Sequence, residues 1–352
     1  MATDEAHATG GSEAARDEDD ESGETTAADA ARSDEGWAAK NDENGAIFAH
    51  ARDLPPAFEP YAEEPLPQVG VGSPGKTGEL EATFAVGVDG TTDLVADYAR
   101  VPYHLSGTLD HDVGRPDFAS AYVQSPTGGV AQGDRNRMVV TAEADARAHV
   151  STGSASKVLS MDANYGRVDA TFVVGDGAHV EYVPEQTILH PNARYCGETA
   201  VTLGRDASAI LTDVVVPGRL ARDEAFDFER YYARTTVDGP GGRILSDTTH
   251  LAPGTGDADP RRAGVLGDYA VLGTCYVVTT RDVDSTAMSD RLAERLTDGP
   301  ARASATALPR DGGAFVRALG DRADDVREAL DAAWDEASRA LLDAPAPDQR
   351  KY

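Results

Sequence analysis

Three short turns recur at a nearly fixed interval in the middle of this 352-residue chain, and that interval limits the folds open to it. Asp145-Ala146 leads into Arg147–Thr152, Asp176-Gly177 into Ala178–Val183, and Asp206-Ala207 into Ser208–Val215. The acidic residues are 31 and then 30 positions apart. Each turn joins an acid to a small residue and opens a run of β-formers. A unit of this length cannot bury its own apolar face, so a fixed interval points to coils stacked around a shared core. Three ordinary hairpins would leave a similar trace. Under both readings Tyr122–Arg234 is β structure. The fold class expected is mainly β: a β-helix-like stack of short strands with a few C-terminal helices.

The flanking chain fits that frame. Leu80, Ala82, Phe84, Val86 and Val88 alternate with polar residues, as a half-buried strand does. Val168–Val174, Thr199–Leu203, Phe226–Val237 and Cys275–Arg281 are further strand candidates. Helical spacing is confined to the last third. Met288, Leu292 and Leu296 define one helix at about 286–297. Val326, Leu330, Trp334, Ala337 and Leu341 define another at 321–342, with Asp321 as N-cap and Pro345 and Pro347 beyond its end. Its stripe is expected to cover a sheet. Residues 1–64 are poor in long apolar side chains and are expected to form a disordered acidic tail, with a short docking element at Ile47–His50. Residues 65–352 are expected to form a single domain.

Composition excludes some functions. The formal charge is −29, from 61 acidic and 32 basic residues, and only four of the latter are Lys. A carboxylate surface of this density suits a high-salt cytosol and lacks the basic footprint of nucleic-acid binding. Cys196 and Cys275 form no CxxC pair, which fits a reducing, cytoplasmic setting. No apolar run reaches membrane-spanning length, and the acidic start is unlike a signal peptide.

Gly70–Thr77 fits the phosphate-loop pattern GxxxxGK[ST]. Such a loop leaves a buried strand and opens a helix. Here Glu64-Pro65-Leu66-Pro67 precedes it and an alternating strand pattern follows, so the match is read as chance.

Four segments carry a family resemblance. They are Ser125–Asp134 with its GG–V–x–GD core, Thr152–Val158 ending in Lys-Val, Glu181–Ile188 with an acidic-aromatic-x-Pro-x-x-Thr-Ile pattern, and Pro217–Phe226 with a PGR–xxR–E–F block. In order and spacing they resemble the urease accessory protein family UreD, also called UreH, over about Gly78–Leu342, in an acidic member of the haloarchaeal type. Val130-Ala131-Gln132 departs from the Val-Val-Gly type common in that family. The resemblance implies a non-catalytic maturation factor. It would bind the urease apoprotein and scaffold a helical UreF-type factor and a UreG-type GTPase, and nickel would be delivered to the urease active site. It implies no permanently bound cofactor, with nickel in transit at most, and a β-helix-like fold with a few helices.

The residues themselves suggest roles. Gly128, Gly129 and Gly133 suit turns or close backbone approach, and Asp134 suits a cap for turn amides. Arg219, Arg222, Glu224, Glu229 and Arg230 form a dense charge cluster, either an ion-pair network or a docking patch. Glu181 and Glu185 are candidates for lining a nickel passage, since carboxylates hold nickel weakly and a transit route requires release. Lys157 stands out in an arginine-dominated chain. His149 and His179 are 30 apart, so stacked coils could bring them together; no HxH or HxxxH pair exists, and no fixed metal site is assigned. The rival class is a glycoside-cleaving enzyme using Glu181 and Glu185, or Asp223 and Glu224. Aromatics at 6% argue against a sugar-binding groove.

Overall fold

A computed structural model describes residues 54–66, 75–108, 114–125 and 128–347. Their strands form two facing sheets. The first contains β1 (Thr77–Val86), β2 (Thr92–Arg100), β5 (Arg135–Ala142), β8 (Gly166–Val174), β11 (Arg194–Leu203), β13 (Arg230–Gly239) and β14 (Gly242–Leu251), in the order β14-β13-β11-β8-β5-β1-β2. The second contains β3 (His104–Leu105), β4 (Ala119–Gln124), β6 (Arg147–Thr152), β9 (His179–Val183), β12 (Ser208–Val216), β15 (Val271–Thr279), β16 (Arg302–Ala307) and β17 (Gly313–Gly320), in the order β16-β17-β15-β12-β9-β6-β4-β3. Two short strands, β7 (Ser156–Val158) and β10 (Thr187–Leu189), make a third side beside β12. Successive coils lay parallel strands on one another, β5 on β8 on β11 and β6 on β9 on β12. The result is a β-solenoid of about four turns. The stacked-coil reading therefore holds over the hairpin one.

The repeated turns explain the regular stacking. Asp145, Gly177 and Asp206 have φ of 63°, 74° and 52°, a region small and acidic residues tolerate. Each turn bonds the next: Asp145 N–H donates to Asp176 O at 2.9 Å and Gly177 N–H to Arg205 O at 2.8 Å. Inside, apolar side chains form layers across the first sheet, such as Ala82, Val140, Phe172, Val201 and Val237. Ala121, Val150, Tyr182 and Leu211 answer them from the second. Val86 and Val88 are exposed, because β1 ends as its hairpin leaves the core.

Two helices cover the outer face of the second sheet. α2 spans Ser285–Leu296 and α3 spans Ala323–Leu342, in the pattern expected (the short helix α1, Glu59–Ala62, lies near the start of the described chain). Asp284 caps α2 by accepting the Ala287 N–H at 2.9 Å. Asp321 does not cap α3. The helix begins two residues later, after extended Arg322, with Asp324 and Asp325 in its first turn. Val326, Leu330, Trp334, Ala337 and Leu341 pack with Ile210, Cys275, Val277 and Val316 in a second core.

Leu54–Glu64, expected to belong to the tail, instead pack against the outer face of the first sheet. Phe58 is fully buried and meets Tyr165, Tyr61 and Tyr232 edge-on at centroid distances of 5.3, 5.7 and 6.3 Å. Burying such a ring stabilises by about 1.5–3 kcal/mol, enough to order a short segment of low apolar content. Residues 1–53, with the expected tail and the Ile47–His50 element, lie outside the described residues.

Candidate functional site

The four motif segments occupy one corner of the solenoid in successive coils. Gly129 and Val130 lie beside Lys157 and Val158, which pair with Ile188 and Leu189 on β10, and Ile188 pairs with Val216 just before Pro217. Val130 N–H donates to Lys157 O at 2.8 Å, and His190 N–H to Val158 O at 2.9 Å. At Gly129, φ is 141° and a Cβ would stand 2.2 Å from the Lys157 carbonyl oxygen, so only glycine admits this contact. Gly128 and Gly133 also have positive φ, of 90° and 74°. Asp134 is fully buried. One of its oxygens accepts the Gly75 and Lys76 N–H at 3.0 and 2.8 Å, and the other accepts Ala131 N–H at 2.9 Å. Lys76 and Thr77 thus lead into a strand rather than a helix; Gly70–Pro74 lie outside the described residues.

Three of these segments border an internal cavity of about 220 Å³ between the sheets. Its walls include Gly129, Lys157, Pro184, Glu185, Tyr182, Tyr195, Tyr231 and Tyr276. Asp213 faces it, with Tyr231 Oη donating to one carboxylate oxygen at 3.0 Å. Burial pushes the Asp213 carboxyl above the usual carboxylate range, although the Tyr231 bond opposes this. Burial and the neighbouring Asp213 hold the Tyr231 hydroxyl protonated, and its ring stacks on Tyr195 at 5.4 Å. Asn136 also lines the cavity, and its buried Oδ1 has no hydrogen-bond partner. A roomy space with several polar groups suits ordered water. At the rim, the Glu185 carboxylate meets Arg327 of α3.

Glu181 does not face this cavity. On β9, Val180 and Tyr182 point inward, whereas Glu181 points out beneath α3 and is completely buried. Arg115 donates to both its oxygens, at 2.8 and 3.2 Å. His149 Nδ1 lies 3.0 Å away, Ser338 Oγ of α3 donates at 3.2 Å, and His179 Nε2 is at 3.6 Å. Burial alone would raise this carboxyl. The bond from His149 and the nearby His179 ring, with the Arg115 guanidinium, hold it well below its usual range. Burial keeps His179 below its ordinary value, hence neutral, and its Nδ1 meets Ser208 Oγ at 2.7 Å. His149 stacks on Trp334 at 5.3 Å, and the Arg115 guanidinium lies 3.6 Å over Phe118. His149 and His179 therefore meet through Glu181. In register His149 stands opposite Glu181 itself, because β6 and β9 are offset by two residues more than the 30-residue spacing suggests. Among the described residues no group of three His, Cys, Asp or Glu could hold a metal ion.

The charge cluster read at 219–230 does not form one network. Arg219 donates to both oxygens of Glu224 from Nε and Nη2, at 2.5 and 2.6 Å. Glu229 pairs instead with Arg194 at 2.6 Å, and Arg194 reaches Glu64 at 2.7 Å, which ties down the N-terminal segment. Arg230 meets His250 at 2.9 Å and Tyr61 at 3.3 Å. Arg222 is exposed, with no carboxylate partner among the described residues. Neither carboxylate pair suggested for glycoside cleavage flanks a common groove. Glu181 is sealed, Glu185 is tied to Arg327, and Glu224 to Arg219. Both cysteines are buried and free, with thiols pushed up to about 12 by burial.

Sequence reasoning missed Arg115, Asp213, Tyr231 and Ser338. Each contributes through a partner 18 to 157 residues away, and no local pattern encodes such a contact.

The shared motifs thus converge on one corner of the solenoid, beside the cavity between the sheets. The sequence model for the family described as UreD urease accessory protein matches residues 76–352. The chain is 55% identical over 303 residues to the urease accessory protein UreD of Haloarcula marismortui, covering 86% of this chain and 100% of that protein. It is 42% identical over 300 residues to UreD of Natronomonas pharaonis, covering 85% and 99%. It is 32% identical over 281 residues to UreD 2 of Streptomyces griseus, covering 80% and 95%. The chain belongs to the UreD family of urease accessory proteins.

Proposed function

We propose that this protein matures urease in the cytoplasm by binding the urease apoprotein and holding a UreF-type helical factor and a UreG-type GTPase in the same assembly while nickel enters the active site. It acts by holding partners, not by turning over a substrate. The observation that carries this reading, beyond family membership, is the convergence of three motif segments on the internal cavity. Nickel is cargo here, not a resident cofactor. Asp213 and Glu185 are carboxylates lining the cavity, and oxygen ligands without His or Cys bind nickel weakly enough to release it. Glu181, turned away under α3, supports the corner from behind.

Deleting the protein is expected to leave urease subunits assembled but short of nickel. Asp213→Asn with Glu185→Gln is expected to preserve complex formation while the nickel content of urease falls toward that of the deletion strain. Full nickel content in the double variant removes the cavity from the route, and full content in the deletion strain removes the maturation role. No helix among the described residues is long and apolar enough to cross a membrane.

A further inference from the structure

Exposed arginines over most of this acidic surface already have a carboxylate. Arg205 pairs with Asp176 at 2.6 Å, Arg243 with Asp238 at 2.6 Å, Arg262 with Asp257 at 2.6 Å and Arg291 with Glu336 at 3.0 Å. Arg295 and Arg302 are exposed without one among the described residues, and two further such cations fall together in the motif corner. Lys157 on β7 and Arg222 in the turn Leu220–Arg222 are both exposed, and among the described residues neither has an ion-pair partner. Both fall at this corner, because the three parallel strands β7, β10 and β12 bring Lys157, Ile188 and Val216 into one row just ahead of that turn. His190 feels both charges. Burial lowers its pKa first, then Arg219, Lys157 and Arg222 lower it further against Glu224. Glu224 is engaged by Arg219, and the exposed Asp223 and Asp227 on the same loop pair with neither free cation.

We infer that this corner is a docking surface for a carboxylate-bearing loop of a partner protein, which, on the maturation reading above, is the urease apoprotein. The argument is charge complementarity under screening. At molar salt the Debye length shrinks to about 3 Å, so cations cannot steer a partner from a distance and act only by direct contact. In a salt-adapted cytosol the proteins met are themselves carboxylate-rich. Two unpaired cations at one corner offer an Arg fork and a Lys point charge to such a surface. The location matters as well, since Lys157 and Glu185 both line the cavity rim. A partner seated here lies beside the cavity.

The test uses the full chain and purified urease apoprotein in molar potassium chloride. Lys157→Glu with Arg222→Glu is expected to weaken binding by at least about tenfold, since a like charge replaces an attractive one at contact. The exposed Arg302→Glu, at the opposite edge of the second sheet, is expected to bind as the wild type does. Thermal melting of each variant separates lost docking from lost fold. Carbodiimide coupling, which joins amines to carboxylates, is expected to link Lys157 to an Asp or Glu of the apoprotein, and Lys157→Arg removes that link. Wild-type binding that survives the double reversal, with no cross-link at Lys157, overturns the docking surface and leaves the maturation reading standing. A change in self-association instead of urease binding also overturns it. If the wild type does not bind the apoprotein at all, both readings fall.

Discussion

Arg115→Met removes the cation from Glu181 and keeps most of the side-chain volume. Glu181 is fully buried and Arg115 is 3% exposed, so water cannot replace the two lost bonds. Breaking a buried ion pair from one side costs about 3–5 kcal/mol, because the remaining charge stays desolvated. In a domain of this size each kcal/mol lowers Tm by roughly 2–4 °C, so a fall of at least about 6 °C is expected at pH 7. His149, His179 and Ser338 still face Glu181, which places the loss toward the lower end.

Two signatures distinguish this loss from a nonspecific one. Glu181 in the wild type has a carboxyl held well below its unfolded value. Its contribution is therefore fully present above the unfolded carboxylate pKa of about 4.3 and is lost as pH falls through the lower folded value. Without Arg115 the folded value is less depressed, so the variant's deficit fades as pH falls below the unfolded value, through the folded values of variant and wild type. The deficit is also insensitive to salt, because a pair sealed under α3 is screened little. Replacing both residues with apolar ones, Arg115→Met with Glu181→Leu, recovers part of the stability. Melting followed by circular dichroism at two salt concentrations and several pH values reads all of this. A variant that melts within about 1 °C of the wild type, or whose deficit vanishes at high salt, refutes the assignment of this pair as a buried ion pair holding the segment before β4 to β9.

Two further outcomes are expected. Phe58→Ala empties the ring's site among Tyr61, Tyr165 and Tyr232 and lowers stability by about 3–5 kcal/mol, read by denaturant melting; a loss under about 0.5 kcal/mol means the segment Leu54–Leu66 is not part of the cooperative fold. With a net charge of −29, the melting temperature falls as ionic strength drops and the Debye length grows to about 30 Å at 0.01 M, and an unchanged value contradicts self-repulsion as a limit on stability.

The coil period was legible because it is written in turn residues. Asp145, Gly177 and Asp206 each take a left-handed conformation that few side chains accept, so the sequence marks the corner directly. Helix stripes were legible for the same local reason, with Leu292 and Trp334 at the centre of theirs. The direction of Glu181 was not legible. A solenoid strand covered by a helix is buried on both faces, so β9 shows no polar-apolar alternation to tell inside from outside. The grouping of Arg219–Arg230 misled because closeness in sequence was taken for closeness in space. Along β13 successive side chains leave on opposite faces, and Tyr231 enters the cavity while Arg230 meets His250 outside it. The N-terminal segment was hidden by its composition. One phenylalanine and one glutamate, Phe58 and Glu64, secure a stretch that otherwise reads as tail.

The ends of the stack are built differently from its middle. β2 and β14 close the first sheet antiparallel to their neighbours, and β3 and the β15–β17–β16 group do the same for the second. A second copy laid against either end meets an antiparallel strand, so the parallel ladder of the coils is not continued there. Growth is open only from within. Duplicating the stretch from β8 to β10 places the new coil between parallel neighbours of the same kind, adds one rung to the motif corner and lengthens the enclosed space, while both reversed ends stay as they are. Lineages of this architecture can therefore vary in girth and loops at every position, but in length only by whole coils inserted between the caps.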